Sequence, residues 1–397
     1  MKKHLSTILA FCFSVTACIY PYTPELDEAP EGILAVDANI TIGEVSTVRL
    51  GGLYSLYPSD ISPYPDFTDA QVWLEDDAGG TYQGYPVYGG NYAYNGYYLD
   101  LRTPVFNIDT KDAPGDRKYR LCIKALDATY TSDWSDFGEP PVISDIQFLA
   151  DDETVTVAVS LDGGPDATGY ALLSFEETWR FHVDYIPDYT LTPYYDRMGN
   201  WALSIVEGRP GDVNYWCWKS QDNQRTYPVD YTSMTGNGVT NWPLQQFLRT
   251  DNRNHQRYSV NVRAKTISKS TYRFLKNLED SSSGGDNLFT PTPGEIASNL
   301  HCESDPGRLV LGYVIFSKST SRRAWMDSRY MIGRPSAYTL LWLTPDLYKM
   351  YYDVGYTVLD HTDSPREGEG EYGWGPLQCY DCVAAGGTLT RPDFWED

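Results

Sequence analysis

Two cysteines near the end of the chain, Cys379 and Cys382, form a C-x-x-C pair, and Cys122, Cys217 and Cys302 lie upstream. That spacing suits three chemistries: a thioredoxin-like dithiol, half of a tetrahedral zinc site, or disulfide partners. No βαβ pattern surrounds the pair, which counts against redox catalysis. Zinc would need Cys217 and Cys302, or a histidine, to complete its tetrahedron. An extracytoplasmic compartment favours disulfides. Cys217, Cys302, Cys379 and Cys382 are therefore read as candidates for structural bridges. Four cysteines allow three pairings, and spacing does not choose among them. Cys122 alternates to the side opposite Leu121 and Ile123, so it is the odd thiol and need not lie in a core.

Other constellations give less chemistry. Gly368-x-Gly370-x-x-Gly373 matches a dinucleotide fingerprint by letter, but Glu367, Glu369 and Glu371 interleave it and would repel a pyrophosphate. The run from Asp109 to Asp116 lacks the alternating acids and closing Glu of a calcium loop, so it reads as an Asp-rich turn. Glu176 and Glu177 are adjacent on a strand pattern and point to opposite faces, so they do not share one acid/base site. There is no Gly-x-Ser-x-Gly elbow, Walker loop or His-Glu-x-x-His. After the leader only His182, His255, His301 and His361 remain, widely scattered. No cofactor and no metal are expected.

The elements that must position these residues are strands. Short alternating runs bounded by Gly, Pro, Asp and Asn recur throughout. Examples are Ile33 to Leu50, Gln71 to Leu74, Tyr92 to Leu101 and Lys118 to Leu126. In the last of these, Tyr119, Leu121, Ile123 and Ala125 share a face. Pro140-Pro141 marks a boundary. The later runs Val142 to Leu149, Thr154 to Leu161, Gly169 to Phe181, Asn200 to Val206 and Tyr258 to Ile267 are again strand-like. Leu309 to Ser317 and Arg322 to Ile332 read as a hairpin. One helix is expected near 269–280, with Ser268 as N-cap and Thr271, Phe274, Leu275 and Leu278 at helical spacing. The tail from Pro365 reads as irregular. The expected architecture is mainly β: an N-terminal immunoglobulin-like or carboxypeptidase-regulatory-like sandwich over 33–140, then a larger β-rich domain over 141–397 carrying the helix.

The first 32 residues give an address. Met1-Lys2-Lys3-His4 is a basic n-region, and Leu5 to Thr16 is an apolar run too short for a bilayer-spanning helix, which needs about 20 residues. Val15-Thr16-Ala17-Cys18 closes it as a lipoprotein signal over 1–17, which makes Cys18 the lipidation site. Three prolines and four acids between Ile19 and Glu31 predict a lipidated tether over 18–32. Acids behind a lipidated cysteine resemble surface-export signals of Bacteroidota. The protein is thus expected on the outer membrane, lipid-anchored and displayed at the cell surface, with the periplasmic face as the alternative.

Charge and aromatic content narrow the partners. A net charge of -23 argues against nucleic acid and against anionic lipid surfaces. Tyrosines crowd one segment, where Tyr92, Tyr94 and Tyr98 fall on one strand face and Tyr97 on the other. They form a candidate binding surface for a glycan or nutrient ligand, or for a protein partner.

The chain resembles the Bacteroidota lipoproteins grouped as domain of unknown function 4249. The resemblance rests on ordered pieces: Cys18-Ile19-Tyr20-Pro21-Tyr22, Leu34 to Ile40, Gly115 to Ile123, Glu176-Glu177-Thr178-Trp179, Tyr215-Trp216-Cys217-Trp218 and Arg257-Tyr258-Ser259-Val260. Tyr272 to Leu278, Leu288-Phe289-Thr290-Pro291, Val310-Leu311-Gly312-Tyr313, Cys379-Tyr380-Asp381-Cys382, Gly386-Gly387-Thr388 and Arg391 to Trp395 complete it. It implies an outer-membrane lipoprotein working beside a TonB-dependent receptor, with no assigned catalytic residues. The tyrosine-rich stretch from Tyr82 to Tyr98 departs from the family pattern. A non-enzymatic accessory or substrate-binding partner of that transporter is the leading expectation. An adhesin or structural subunit of an outer-membrane assembly is the alternative, and an extracytoplasmic hydrolase comes third.

Overall fold

A computed structural model describes residues 33–52, 67, 69–87, 93–94, 97–98, 104–164, 166–211, 213–223, 225–232, 238–282, 298–327 and 338–396. The lipidation site Cys18, the leader and the tether lie outside the described residues.

Among the described residues the fold is mainly β, with two short helices, Lys269–Ser282 and Tyr348–Asp353. Alternation organises the first sheet: in Tyr119–Ala125 the side chains of Tyr119, Leu121, Ile123 and Ala125 are all buried. They join Leu34, Val36, Val48, Leu74 and Ile108 in one core. The sheet is a single nine-stranded path that curls until its ends meet, rather than two stacked sheets. In spatial order it runs Leu300–Cys302, Ala128–Ser132, Tyr119–Ala125, Gln71–Asp76, Thr81–Val87, Val105–Asp109, Val45–Gly52, Leu34–Thr41 and Val310–Ser317. Curling inward hides one face and leaves few free edges.

Side chains stitch the remaining seam. Asn299 donates through Nδ2 to the Val314 carbonyl (2.9 Å) and accepts the Val314 N–H on Oδ1 (2.8 Å), so an amide imitates a ladder rung. Ser298 Oγ donates to the Gly312 carbonyl. Strand Val310–Ser317 runs parallel to Leu34–Thr41, with Gly312 opposite Val36. A Cβ at Gly312 would stand 1.9 Å from the Val36 carbonyl oxygen, and its φ is +105°, so only glycine admits this approach.

Thus the chain leaves this sheet near 140 and returns near 300 to finish it. Val310–Ser317 and Ser319–Asp327 do not form a hairpin, because they belong to different sheets. The chain crosses at Lys318, whose carbonyl accepts the Thr266 N–H.

The sandwich lies in the second region. A three-stranded sheet (Val142–Ala150, Thr154–Asp162, Gly238–Leu248) faces a five-stranded one. The latter comprises Trp216–Asp222, Tyr170–His182, Arg257–Thr266 and Ser319–Asp327, with Tyr227–Asp230 also on Tyr170–His182. Val155, Val157, Val159, Phe175, Trp179, Phe181, Val260 and Val262 fill the space between them. Helix Lys269–Ser282 is capped by Ser268, whose Oγ accepts the Thr271 N–H (3.1 Å). Its Tyr272 and Leu275 pack on Tyr170 and Leu172, and Phe274 stacks on Tyr313.

The tail from Pro365 is largely irregular, as expected, but it is packed, and its one strand, Tyr372–Gly375, joins a sheet. Leu341–Leu343, Tyr372–Gly375 and Thr357–His361 form a small sheet around the buried Trp374. Gly370 and Gly373 serve this sheet: Gly370 donates to the Trp342 carbonyl, and Gly373 pairs with Trp342.

Candidate functional site

Period-two alternation decides which residues leave the sandwich core. Because Trp179, Phe181, Tyr258 and Val260 point inward, Arg180, Thr178, Arg257 and Ser259 must point outward. Register then aligns a row across four strands: Trp218 opposite Arg180, Arg180 opposite Arg257, and Arg257 opposite Asp327. The Arg180 guanidinium lies 4.9 Å from the Trp216 ring centre and 5.2 Å from that of Trp218, so two indoles hold it. Arg257 stacks over Trp325 (4.6 Å), and its Nε faces Asp327 Oδ1 at 3.5 Å. Arg323 lies over Phe394 and donates to Glu176 (2.7 Å) and Ser259 (2.9 Å).

The C-terminal segment covers part of this face. Cys382 is bonded to Cys217, with Cα atoms 5.6 Å apart. Trp218 and Thr388 then exchange two backbone hydrogen bonds of 2.9 and 2.8 Å. Gly387 permits the contact, since a Cβ there would meet Cys217 Cβ at 2.5 Å. Trp395 ends up 4% exposed, edge-on to Trp325 at 5.1 Å, and the Glu396 carbonyl accepts from Arg257.

Between the segment and the strand edge lies a cleft of about 490 Å³ lined by Arg180, Gln256, Arg257, Asp327 and Trp395. Among the described residues the Arg180 side chain has no hydrogen bond or ion pair, and its Nε is buried. Gln256 Oε1 is likewise buried with no donor on it. His182 extends the aromatic wall behind Arg180, stacked on Tyr215 (5.0 Å) and His255 (4.4 Å) and edge-on to Trp216. Such an arrangement can hold an anion. No group of three or more metal-ligating side chains occurs among the described residues.

The other face carries a buried ion pair. Glu177 is 3% exposed and receives Arg253 through both oxygens (2.7 and 3.0 Å), Tyr258 Oη (2.9 Å) and Gln245 Nε2 (3.1 Å). Burial and the neighbouring carboxylate push the Tyr258 hydroxyl well above its usual range. Glu176 faces out to Arg323 and Asn261, so the two carboxylates are on opposite faces as the alternation predicts.

The cysteines separate. Of the four bridge candidates, Cys217 and Cys382 are joined, whereas Cys302 and Cys379 are free and buried. Cys302 sits in the core of the nine-stranded sheet. Cys379 lies in a tight turn against Gly375, and burial pushes its thiol up to about 11. Cys122 is also buried. It faces away from Leu121 and Ile123 as expected, but its neighbours in register, Trp73 and Thr131, flank it, and burial next to Glu75 raises its thiol to about 12.

Tyr92 lies outside the described residues. Tyr94 pairs with Tyr97, and Tyr98 with Ala93, in a two-stranded ladder whose side chains are also outside them. The cleft residues were within reach of sequence reasoning: Trp216-x-Trp218 and Arg180 occur in strand patterns and alternate outward. The signal missing was register, which sets Arg180 between the indoles.

Together these features define a mainly β protein with a nearly closed barrel-like sheet, a sandwich and an arginine-tryptophan cleft. The chain belongs to the family described as domain of unknown function (DUF4249), whose model matches residues 19–323. Arg180, Gln256 and Arg257 fall inside the match, and Asp327 and Trp395 follow it. No curated protein matches the chain.

Proposed function

We propose that this protein is a lipid-anchored, non-catalytic outer-membrane protein that binds a ligand for a TonB-dependent transporter, with the cleft beside Arg180 as the binding site. One observation carries the reading: in a chain with net charge -23, the Arg180 guanidinium, clamped by two indoles and paired with no carboxylate among the described residues, faces a cleft. Holding such a cation ready favours binding over turnover. The one carboxylate lining the cleft, Asp327, is engaged by Arg257, which makes a paired acid and base unfavourable there. The Val15-Thr16-Ala17-Cys18 tetrad and the acidic tether support anchoring at the cell surface.

The test is purification of the tagged full-length protein from its native membrane in mild detergent. An outer-membrane receptor should co-purify, and Cys18→Ala should move the protein to the soluble fraction. Membrane retention of that variant would remove the anchor, and an eluate without a receptor would remove the transporter role.

The adhesin or assembly-subunit reading has its own support. The hairpin Tyr189–Tyr195 and Trp201–Glu207 ends in exposed Tyr194, Tyr195 and Met198, the last 85% accessible. If that tip docks on a protein, Tyr195→Ser should abolish co-purification of the partner without altering ligand binding in the cleft.

A further inference from the structure

We propose that the cleft beside Arg180 takes a small organic monocarboxylate, such as a sugar acid or an aliphatic hydroxy acid. This rests on reading the cleft as a ligand site, and names the chemistry it selects.

The charge count in the cleft sets the anion. Arg180 and Arg257 are direct cross-strand partners on one face, an arrangement that repels. Asp327 and the Glu396 carbonyl engage Arg257, while Arg180 has only the rings of Trp216 and Trp218. One positive charge is therefore unmatched, which suits a monocarboxylate better than a phosphate dianion. A guanidinium fork also matches the planar, two-oxygen shape of a carboxylate. Because the indoles fix the guanidinium in place, little side-chain freedom remains to be lost on binding.

The second constraint is shape: the Trp395 wall and a volume of about 490 Å³ fall within the range of small-molecule sites. The Cys217–Cys382 bridge and the Trp218–Thr388 hydrogen bonds hold that wall to the sheet. The site is thus formed before the ligand arrives.

Titration calorimetry on the full-length protein in mild detergent tests this with four probes: D-glucuronate, D-glycerate, D-glucose and inorganic phosphate. At least one of the two acids should bind about tenfold or more tightly than glucose or phosphate, and which acid does so identifies the source. Arg180→Met keeps the packing stem and should weaken that binding by about tenfold or more. Gln256→Glu places a carboxylate beside both arginines and should abolish binding while leaving the melting temperature unchanged or raised, so loss of fold is not the cause. Binding untouched by both variants, equal binding of glucose, preference for phosphate, or no binding of either acid at about millimolar concentration would each overturn the proposal. A receptor that still co-purifies with a protein binding neither acid would leave the transporter reading standing and remove only this one.

Discussion

Cys217 and Cys382 are covalently joined across 165 residues of sequence, and this bond pins the C-terminal segment to the edge strand Trp216–Asp222 of the five-stranded sheet. Together with the two Trp218–Thr388 backbone bonds, it holds the segment whose Trp395 walls the cleft.

Loss of the bridge should therefore act twice. Cys382→Ser should lower stability by about 2–4 kcal/mol, because the unfolded chain regains the freedom of a long loop. It should also loosen residues 388–396. Thermal melts read the first effect, and faster proteolysis at the C-terminus, with solvent exposure of Trp395, reads the second. An unchanged cleavage pattern would mean that the backbone bonds of Thr388 hold the tail alone.

Glu177 and Arg253 form the buried ion pair most sensitive to single substitution. Arg253→Met leaves a carboxylate 3% exposed with only neutral donors, Tyr258 and Gln245. Destabilisation of about 3–5 kcal/mol is expected, against a smaller loss for the double variant with Glu177→Gln. Denaturant titration of both variants measures the difference, and equal losses would contradict the argument.

Acid should weaken the nine-stranded sheet at Asp76. The Gly80 and Ala78 backbone N–H groups and the Tyr82 hydroxyl hold this carboxylate below its ordinary range. A lowered value means stability that is present above about pH 4, the unfolded carboxyl value, and lost as pH falls through the folded one. Glu75, depressed by Trp73 and Arg120, acts in the same direction. Asp76→Asn should flatten the slope of stability against pH below about 4. A slope identical to wild type would assign acid sensitivity elsewhere.

The free thiols should be inert in the folded protein. Cys122, raised to about 12, and Cys379, raised to about 11, are both buried and protonated at pH 8. Iodoacetamide at that pH should leave both unmodified, and should label both together with Cys302 once the protein is denatured. Mass mapping distinguishes the outcomes, and rapid native labelling of Cys379 would show an open turn.

Much of the local structure was legible from pattern alone. Tyr119, Leu121, Ile123 and Ala125 declared a buried face, Ser268 declared a helix start, and Glu176 and Glu177 declared opposite faces. Each follows from chain geometry within a few residues, so sequence by itself determined the mainly β class and its family. The route by which 300–317 completes the first sheet was not legible. It depends on Asn299 finding Val314 and on Gly312 approaching Val36, contacts formed only when distant strands are already side by side. The cysteines show the same limit. Spacing nominated Cys217, Cys302, Cys379 and Cys382, but pairing needs two Cβ atoms brought together, and only tertiary packing put Cys382 beside Cys217 while burying Cys379 three residues away. The same holds for Arg180: alternation sent it outward, but strand register and the folded-back tail decided that it would stand between two indoles, without a carboxylate, at the mouth of a cleft.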